Sequence, residues 1–486
     1  MQCDFELPAP RLVPELDPGF RPAVLANRAF RQRVANSGKA VPLVLAVERE
    51  NGRISRFETC VYDPRCAEAP ANFHYVERIV KFLLYRYGGW KVYVGGPAEI
   101  ARFLAWCYSP VGSGAFDRDL WGGLVYEKPF TVVSMTADRA PAAAEGAGEA
   151  VKLDWQGWRI GFDLGASDRK VAVVKDGQLA LDANAQPLFS AEFEWDPKPQ
   201  SDPAWHFAKI MEVLRLAEAK IREIEPGARV RAIGGSAAGV YVNNRVRIAS
   251  LFRGVAPREK FEQEVAPLFL RLREAWGGIP FRLENDGDVT ALAGAIALRD
   301  GAVLGLAMGS SLAAGYVDEQ CRVAGWMNEL AFAPIDYSPA AAVDEWSRDR
   351  GVGANYFSQQ AVGRLIPLAG IRLPELPVEA LPERLKRVQE LMAAGDARAL
   401  KIYSTIGRYL GYAVAHYLDF YRPVRHIEIL GRVMTGEGGR MILDEARKVF
   451  EVEFPELAGT FAFYEPDERE KRHGQAAAAA SLPIEA

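Results

Sequence analysis

Alternating apolar and polar positions divide the chain into hairpins and helix–strand repeats. Near the start, "VPLVLAVERENGRISRFETCVY" reads as two strands turning at Asn51-Gly52. "YVERIVKFLLYRYG" and "AEIARFLAWCYS" have helical apolar spacing, and "WKVYVGGP" between them reads as a strand. Together they predict an α/β domain over residues 1–135. The segment 136–150, "TADRAPAAAEGAGEA", is rich in Ala, Gly and Glu and reads as a linker or exposed loop.

From Val151 the pattern changes. "WRIGFDLGASDRKVAVV" is two strands about a turn, followed by the helix "DPAWHFAKIMEVLRLAEAKIREIEPG". Next come a strand "VRAIGGSAAGVYV", a helix "PREKFEQEVAPLFLRLREAWG", a short strand "PFRLEND" and a helix "GDVTALAGAIALRD". A second hairpin, "AVLGLAMGSSLAAGYVDEQ", opens the remaining part. It is followed by a long irregular stretch, then the helix "GDARALKIYSTIGRYLGYAVAHYLDFY", the strand "HIEILG", the turn "RVMTGEGG" and the helix "RMILDEARKVF". Two halves, 151–298 and 299–486, each opening on a glycine-bearing hairpin, suggest a duplicated two-lobe architecture with a cleft between the lobes.

Composition narrows the function classes. The 486 residues are 49% hydrophobic and 25% charged, with net charge −4, so no global field attracts nucleic acid or an anionic membrane. Cys3, Cys60, Cys66, Cys107 and Cys321 are scattered and form no CxxC, which argues against a disulfide framework or a structural zinc site. No apolar run approaches membrane-spanning length and the acidic, Pro-rich start is unlike a secretory signal, so a cytoplasmic protein is expected. His74, His206, His416, His426 and His473 lack metal-ligand spacing and read as structural or exposed.

Four turns that follow strands carry the candidate chemistry: "FDLGAS", "RLENDGD", "AMGSSLAAG" and "ILGRVMTGEGG". Ligands of open α/β sheets bind where strand ends meet helix N-termini. The first turn is either an ordinary hairpin or one whose backbone N–H groups approach phosphate while Asp163 serves a metal ion. Asp286 is either a helix cap or a carboxylate placed to accept a proton from a substrate hydroxyl attacking a γ-phosphoryl group.

The order of these turns resembles the ROK (repressor, open reading frame, kinase) family of the actin-like ATPase superfamily. "IGFDLGASDRKVAVV" is similar to its first phosphate hairpin and "LENDGDVTALAGA" to its ENDANAAALGE signature. "LGLAMGSSLAAGYVDEQ" resembles the second phosphate hairpin, "GWMNELAFAPI" the GEIGHMPV segment and "HIEILGRVMTGEGG" the adenosine-side turn. The resemblance covers about two-thirds of the chain. It implies an α/β, two-lobe actin-like ATPase (ribonuclease H-like) fold with an additional N-terminal α/β domain. It also implies ATP-dependent phosphorylation of a sugar or sugar-like alcohol, with ATP and Mg2+ as cofactors.

Carried across, the resemblance makes Asp286 the catalytic base, with Asn285, Glu284, Glu329, Ser250 and Asn355 on the sugar side. Asp163 becomes the magnesium-side carboxylate, acting indirectly. Gly165 and Ser167 form the first phosphate turn and Gly309, Ser310 and Ser311 the second. Gly431 lets adenosine approach, with Thr435, Gly436 and Gly438 nearby. Four departures accompany it, one being that the Asn of the usual NLPGW segment is replaced in "IASLFRGV", near Ser250. The family's zinc motif is missing, its His position being Phe332, so no zinc is expected and packing around Trp346, Tyr356 and Phe357 stands in its place. The family Glu after that motif falls near Ala354 or Asn355. GTGIGGG has become "GSSLAAG", where Ala313 and Ala314 narrow the room for phosphates.

A catalytically weak or inactive sugar- or nucleotide-binding regulator is the alternative, and a chaperone-type ATPase fits "END" less well. Residues 1–135 show no helix-turn-helix, so no nucleic-acid partner is expected; a lid, a dimerisation unit or a partner-binding module remain open, and a homodimer is compatible with the sequence.

Overall fold

The computed structural model describes residues 5–144, 156–180 and 189–482. Its contacts divide the chain into two compact units. One holds residues 148–306, 314–324 and 464–486; the other holds 1–147, 307–313 and 325–463. This grouping differs from the sequence segmentation. Residues 1–135 are not a separate body, because their helices pack on the segment after residue 325.

In the unit containing Asp163, strands Phe281–Asn285, Val230–Ala237, Trp158–Leu164, Asp168–Lys175 and Gln178–Leu179 lie in that order, and Ser190–Glu194 also pairs with Asp168–Lys175. The first three are parallel, and the hairpin partner is antiparallel. Ile160, Phe162, Val171 and Val173 pack with Ile210, Val213 and Leu214 of helix Pro203–Ile224. Asp202 starts that helix by accepting the Ala204 N–H at 3.0 Å, with Pro203 at the first helical position. Helix Glu468–Ala479 packs on this sheet, and the close approach requires glycine: a Cβ at Gly161 or Gly234 would lie 1.7 Å from the carbonyl of Ala476 or Ala479.

Two elements differ from the sequence expectation. The helix predicted over "PREKFEQEVAPLFLRLREAWG" is broken into Arg258–Lys260, a π-turn Phe261–Val265 and Leu268–Ala275. Pro267 has no N–H to continue it. "VRAIGGSAAGVYV" is likewise not one strand. It ends at Ala237, and beyond Gly239 (φ 140°) Val240–Val242 pairs with Arg245–Ile248.

In the other unit, Ile54–Tyr62, Ala40–Glu48, Lys91–Gly95 and Thr131–Met135 form a four-stranded sheet in that order. The hairpin turns where expected, with Asn51 and Gly52 both left-handed. Helix Ala71–Tyr87 begins four residues before the predicted "YVERIVKFLLYRYG" and is buried along most of its length. Helix Ala23–Asn36 was not anticipated. Part of the expected linker is docked instead: Ala144 bridges Ile54, and Arg56 Nη1 donates to the carbonyls of Ala140 and Pro141. Residues 145–150 lie outside the described residues. Further on, helices Ala397–Leu418 and Gly436–Glu453 pack together, with strand His426–Leu430 between them in sequence.

Candidate functional site

Strand register builds the acidic site. Asp163 stands beside Ser236 on the neighbouring strand, and Ser236 beside Glu284 on the next, all near the carboxyl ends of parallel strands. Ser236 Oγ donates to Asp163 Oδ1 at 2.6 Å in a buried setting. Burial raises the Asp163 pKa, opposed by the Ser236 hydrogen bond and the charge of Lys170.

One residue beyond strand Phe281–Asn285, helix Asp286–Leu298 begins. Asn285 is its cap: Oδ1 accepts the Gly287 N–H at 2.7 Å, while Nδ2 donates to the Gly239 carbonyl at 2.7 Å. Asp286 is thereby released from the capping role, although its Oδ1 also accepts from Gly287 N at 3.1 Å. Burial, then the nearby charge of Asp163, pushes Asp286 up to about 6. Gln475 holds the first turn of the helix, donating to Thr290 Oγ1 at 2.6 Å. Glu284 is bound to Arg282 at 2.7 Å.

The first hairpin turn is held by its own strand ends. Gly165 N donates to the Asp168 carbonyl, and the indole of Trp195 donates to the Gly165 carbonyl at 3.0 Å. Trp195 N donates to the Ser167 carbonyl, and Ser167 Oγ to Asp168 Oδ2 at 3.2 Å. Ser250 is exposed at the start of a 3-10 turn.

The remaining predicted residues belong to the other unit. Ser310 and Ser311 are exposed at the second hairpin tip, but Gly309 N donates to the Ser311 carbonyl and Gly309 O accepts from Gln359 N. A Cβ at Gly431 (φ 108°) would lie 2.5 Å from the Met308 carbonyl, so the chain itself demands this glycine. Thr435 Oγ1 accepts from Gln389 at 2.6 Å, Gly436 is left-handed and exposed, and Gly438 abuts the Tyr403 ring. Glu329 N donates to the Tyr85 carbonyl at 2.8 Å. Asn355 is buried, and its Nδ2 has no hydrogen-bond partner among the described residues.

At the missing zinc motif, Phe332 touches Tyr85 and Trp346, and Trp346 touches Phe116. Tyr356 donates to Asp336 at 2.6 Å. Trp346 itself is 51% exposed, so the packing expected around it is partial. Ion pairs add to it: Asp349 meets Arg78 at 3.0 Å and Lys81 at 2.8 Å, and Lys81 meets Asp117 at 2.9 Å.

Sequence reading missed Ser236, Gln475 and this ion-pair cluster. Ser236 lies inside the quoted "AIGGSAAG", but only strand register places it on Asp163. Among the described residues no group of three or more His, Cys, Asp or Glu side chains could hold a metal, and no helix is long and apolar enough to cross a membrane.

Over about two-thirds of its length the chain shares its fold with solved ROK family proteins. A ROK family transcriptional regulator, a homologue of the E. coli MLC protein, superposes with a TM-score of 0.50 at 17% identity, covering 68% of this chain and 78% of its own. A ROK hexokinase from Thermus thermophilus gives 0.49 at 18% identity over 67% of this chain and 97% of its own. A ROK family glucokinase from Streptomyces griseus, solved with glucose and AMPPNP, gives 0.48 at 19% identity over 67% and 99%. No protein-family profile matches the sequence, and no curated protein matches it.

Proposed function

We propose that the protein phosphorylates a hydroxyl of a sugar or sugar-like alcohol at the expense of ATP. The observation that carries this reading is Asp286, poised near pKa 6 at a strand-to-helix junction and freed from capping by Asn285. A base works best when its pKa lies near the working pH. Asp286 receives the proton of the substrate hydroxyl at its carboxylate, while Asn285 and Glu284 border the same junction.

A divalent cation fits beside Asp163. Asp163 is buried and Asp286 partly so, the charge of Asp163 opposes that of Asp286, and a cation relieves that repulsion. With so few acidic ligands, Asp163 would reach Mg2+ through water. Mg-ATP, when bound, supplies the γ-phosphoryl group and the charge neutralisation it needs. The roles of Gly165, Ser167, Gly309, Ser310, Ser311, Gly431, Thr435 and Gly436 toward the nucleotide, and of Ser250, Glu329 and Asn355 toward the sugar, rest on the resemblance. The unpaired Nδ2 of buried Asn355 supports its share, since a sugar hydroxyl would satisfy it.

A second reading, a ligand-sensing regulator, is favoured by the second hairpin tip, where Gly309 N–H and C=O are already spent within the chain. ADP release from Mg-ATP across hexoses, amino sugars, N-acetylated sugars and polyols separates the two. Sugar-dependent release that disappears in Asp286→Asn supports the kinase. Silence across the panel, with a sugar still raising Tm, supports the regulator.

A further inference from the structure

A cleft of about 810 Å3 opens between helix Ala71–Tyr87, helix Ala98–Cys107 and the loop 336–350, within one unit. None of the residues given a role above for sugar or nucleotide lines it. One wall is aromatic: Phe73 and Phe103 lie 4.8 Å apart, Phe103 and Trp106 lie 6.3 Å apart, and Trp106 is 59% exposed. Trp106 is thus a large flat face left uncovered beside an apolar floor. Cys107 adds to that floor rather than to the chemistry, since burial pushes its thiol up to about 11.

The rest of the lining is charged, three acids (Glu77, Asp336, Asp349) against three arginines (Arg78, Arg348, Arg350). Glu77 and Asp349 are spent on Arg78, at 2.6 and 3.0 Å, and Asp349 also on Lys81. Asp336 accepts from Arg21 N, Ser338 N and the Tyr356 hydroxyl. Arg348 and Arg350, both exposed and both lining the cleft, have no ion-pair partner among the described residues. The loop presenting them is firmly made: Asp344 accepts from Trp346 N, Ser347 N and Ser347 Oγ, and Val343 bridges Arg350. Arg348 stands at φ 60°, a left-handed conformation uncommon for a residue other than glycine.

A cleft of this size, lined by an aromatic cluster and by two arginines with no carboxylate partner, Arg350 donating only to the Ala341 carbonyl at 3.3 Å, matches a small molecule that joins a flat apolar body to an anionic group. We infer that this cleft binds a small aromatic anion, its ring against Phe103 and Trp106 and its charged end on Arg348 and Arg350. The loop that supplies the arginines lies in the segment bounded by Glu329 and Asn355, so the occupant would rest on the stretch that carries two of the expected sugar contacts. The inference stands on the cleft alone and does not depend on the kinase reading.

The probe is naphthalene-2-sulfonate, measured by titration calorimetry on the full chain, with neutral naphthalene-2-sulfonamide as the comparison. The sulfonate is expected to bind one to one, and at least about tenfold more tightly than the sulfonamide. Arg348→Ala combined with Arg350→Ala should remove that preference. Trp106→Ala should weaken both probes, leaving the preference in place. All three positions are exposed, and an unchanged melting curve checks that each variant folds. No one-to-one binding at millimolar probe, equal affinity for the two probes, or a preference that survives the double arginine variant would overturn the assignment. Sugar-dependent ADP release is read separately, so failure here and failure of the kinase reading are distinguishable.

Discussion

Two buried acidic regions are treated in opposite ways. In the unit carrying the N-terminal sheet, three acids have cationic partners: Asp117 meets Lys81, Asp349 meets Lys81 and Arg78, and Asp419 meets Arg28 and Arg31. Although burial alone would raise Asp349, Arg78 and Lys81 hold it down to about 2. In the other unit, Asp163 and Asp286 stand near each other, and both are raised. Under the proposed function, the two carboxylates left together are the pair that serves the chemistry. A raised pKa alone does not make that case. Asp336 also reaches about 6, raised by burial against the pull of three hydrogen-bond donors, and those donors give it a structural task in its loop.

The largest expected effect breaks the paired side. Lys81→Met keeps the apolar stem but strips a buried cation from Asp117 and Asp349, at a cost of about 3–5 kcal/mol. A denaturant midpoint unchanged from wild type would show that the pairs contribute nothing. Asp286→Asn should act in the opposite direction and more weakly. Because its folded pKa is raised from 3.8 to about 6, the folded state binds the proton more tightly than the unfolded state. Its contribution is therefore most favourable below pH 3.8 and is lost as pH rises through about 6. At pH 8 the asparagine variant should be more stable than wild type by about 1–3 kcal/mol, with the gain shrinking toward pH 4. Equal melting curves at both pH values would deny that burial strains this carboxylate. The smallest effect belongs to Asn285→Ala, which removes the cap on Gly287 and should cost about 1 kcal/mol. Since the same side chain ties the junction to Gly239, that variant should also lose turnover. A stable but fully active protein would show that Asn285 does nothing for Asp286.

Much of this was legible in the sequence. The alternation in "WRIGFDLGASDRKVAVV" and the switch at "LENDGD" located the strands, the turn and the helix that carry Asp163 and Asp286, because period and cap residues are local signals. Pairing across the chain was not. Lys81 and Arg86 look like a solvent face within "YVERIVKFLLYRYG", yet both are buried, and the partners of Lys81 lie 36 residues away at Asp117 and far beyond at Asp349. For the same reason the grouping of residues 1–147 with 325–463 could not be read from composition. Pro267 could have been heeded, but apolar spacing on both sides of it outweighed one residue.

The most direct test of the account is the pH dependence of kcat/KM for sugar-dependent ADP release, run from pH 5 to 9 on wild type and Asp286→Asn. The account predicts a rate that rises with pH and levels off above about 6 in wild type, with a loss of roughly 10²–10⁴-fold in the variant. A profile flat through pH 6, or a variant that turns over sugar as wild type does, would contradict the assignment of Asp286 as the base.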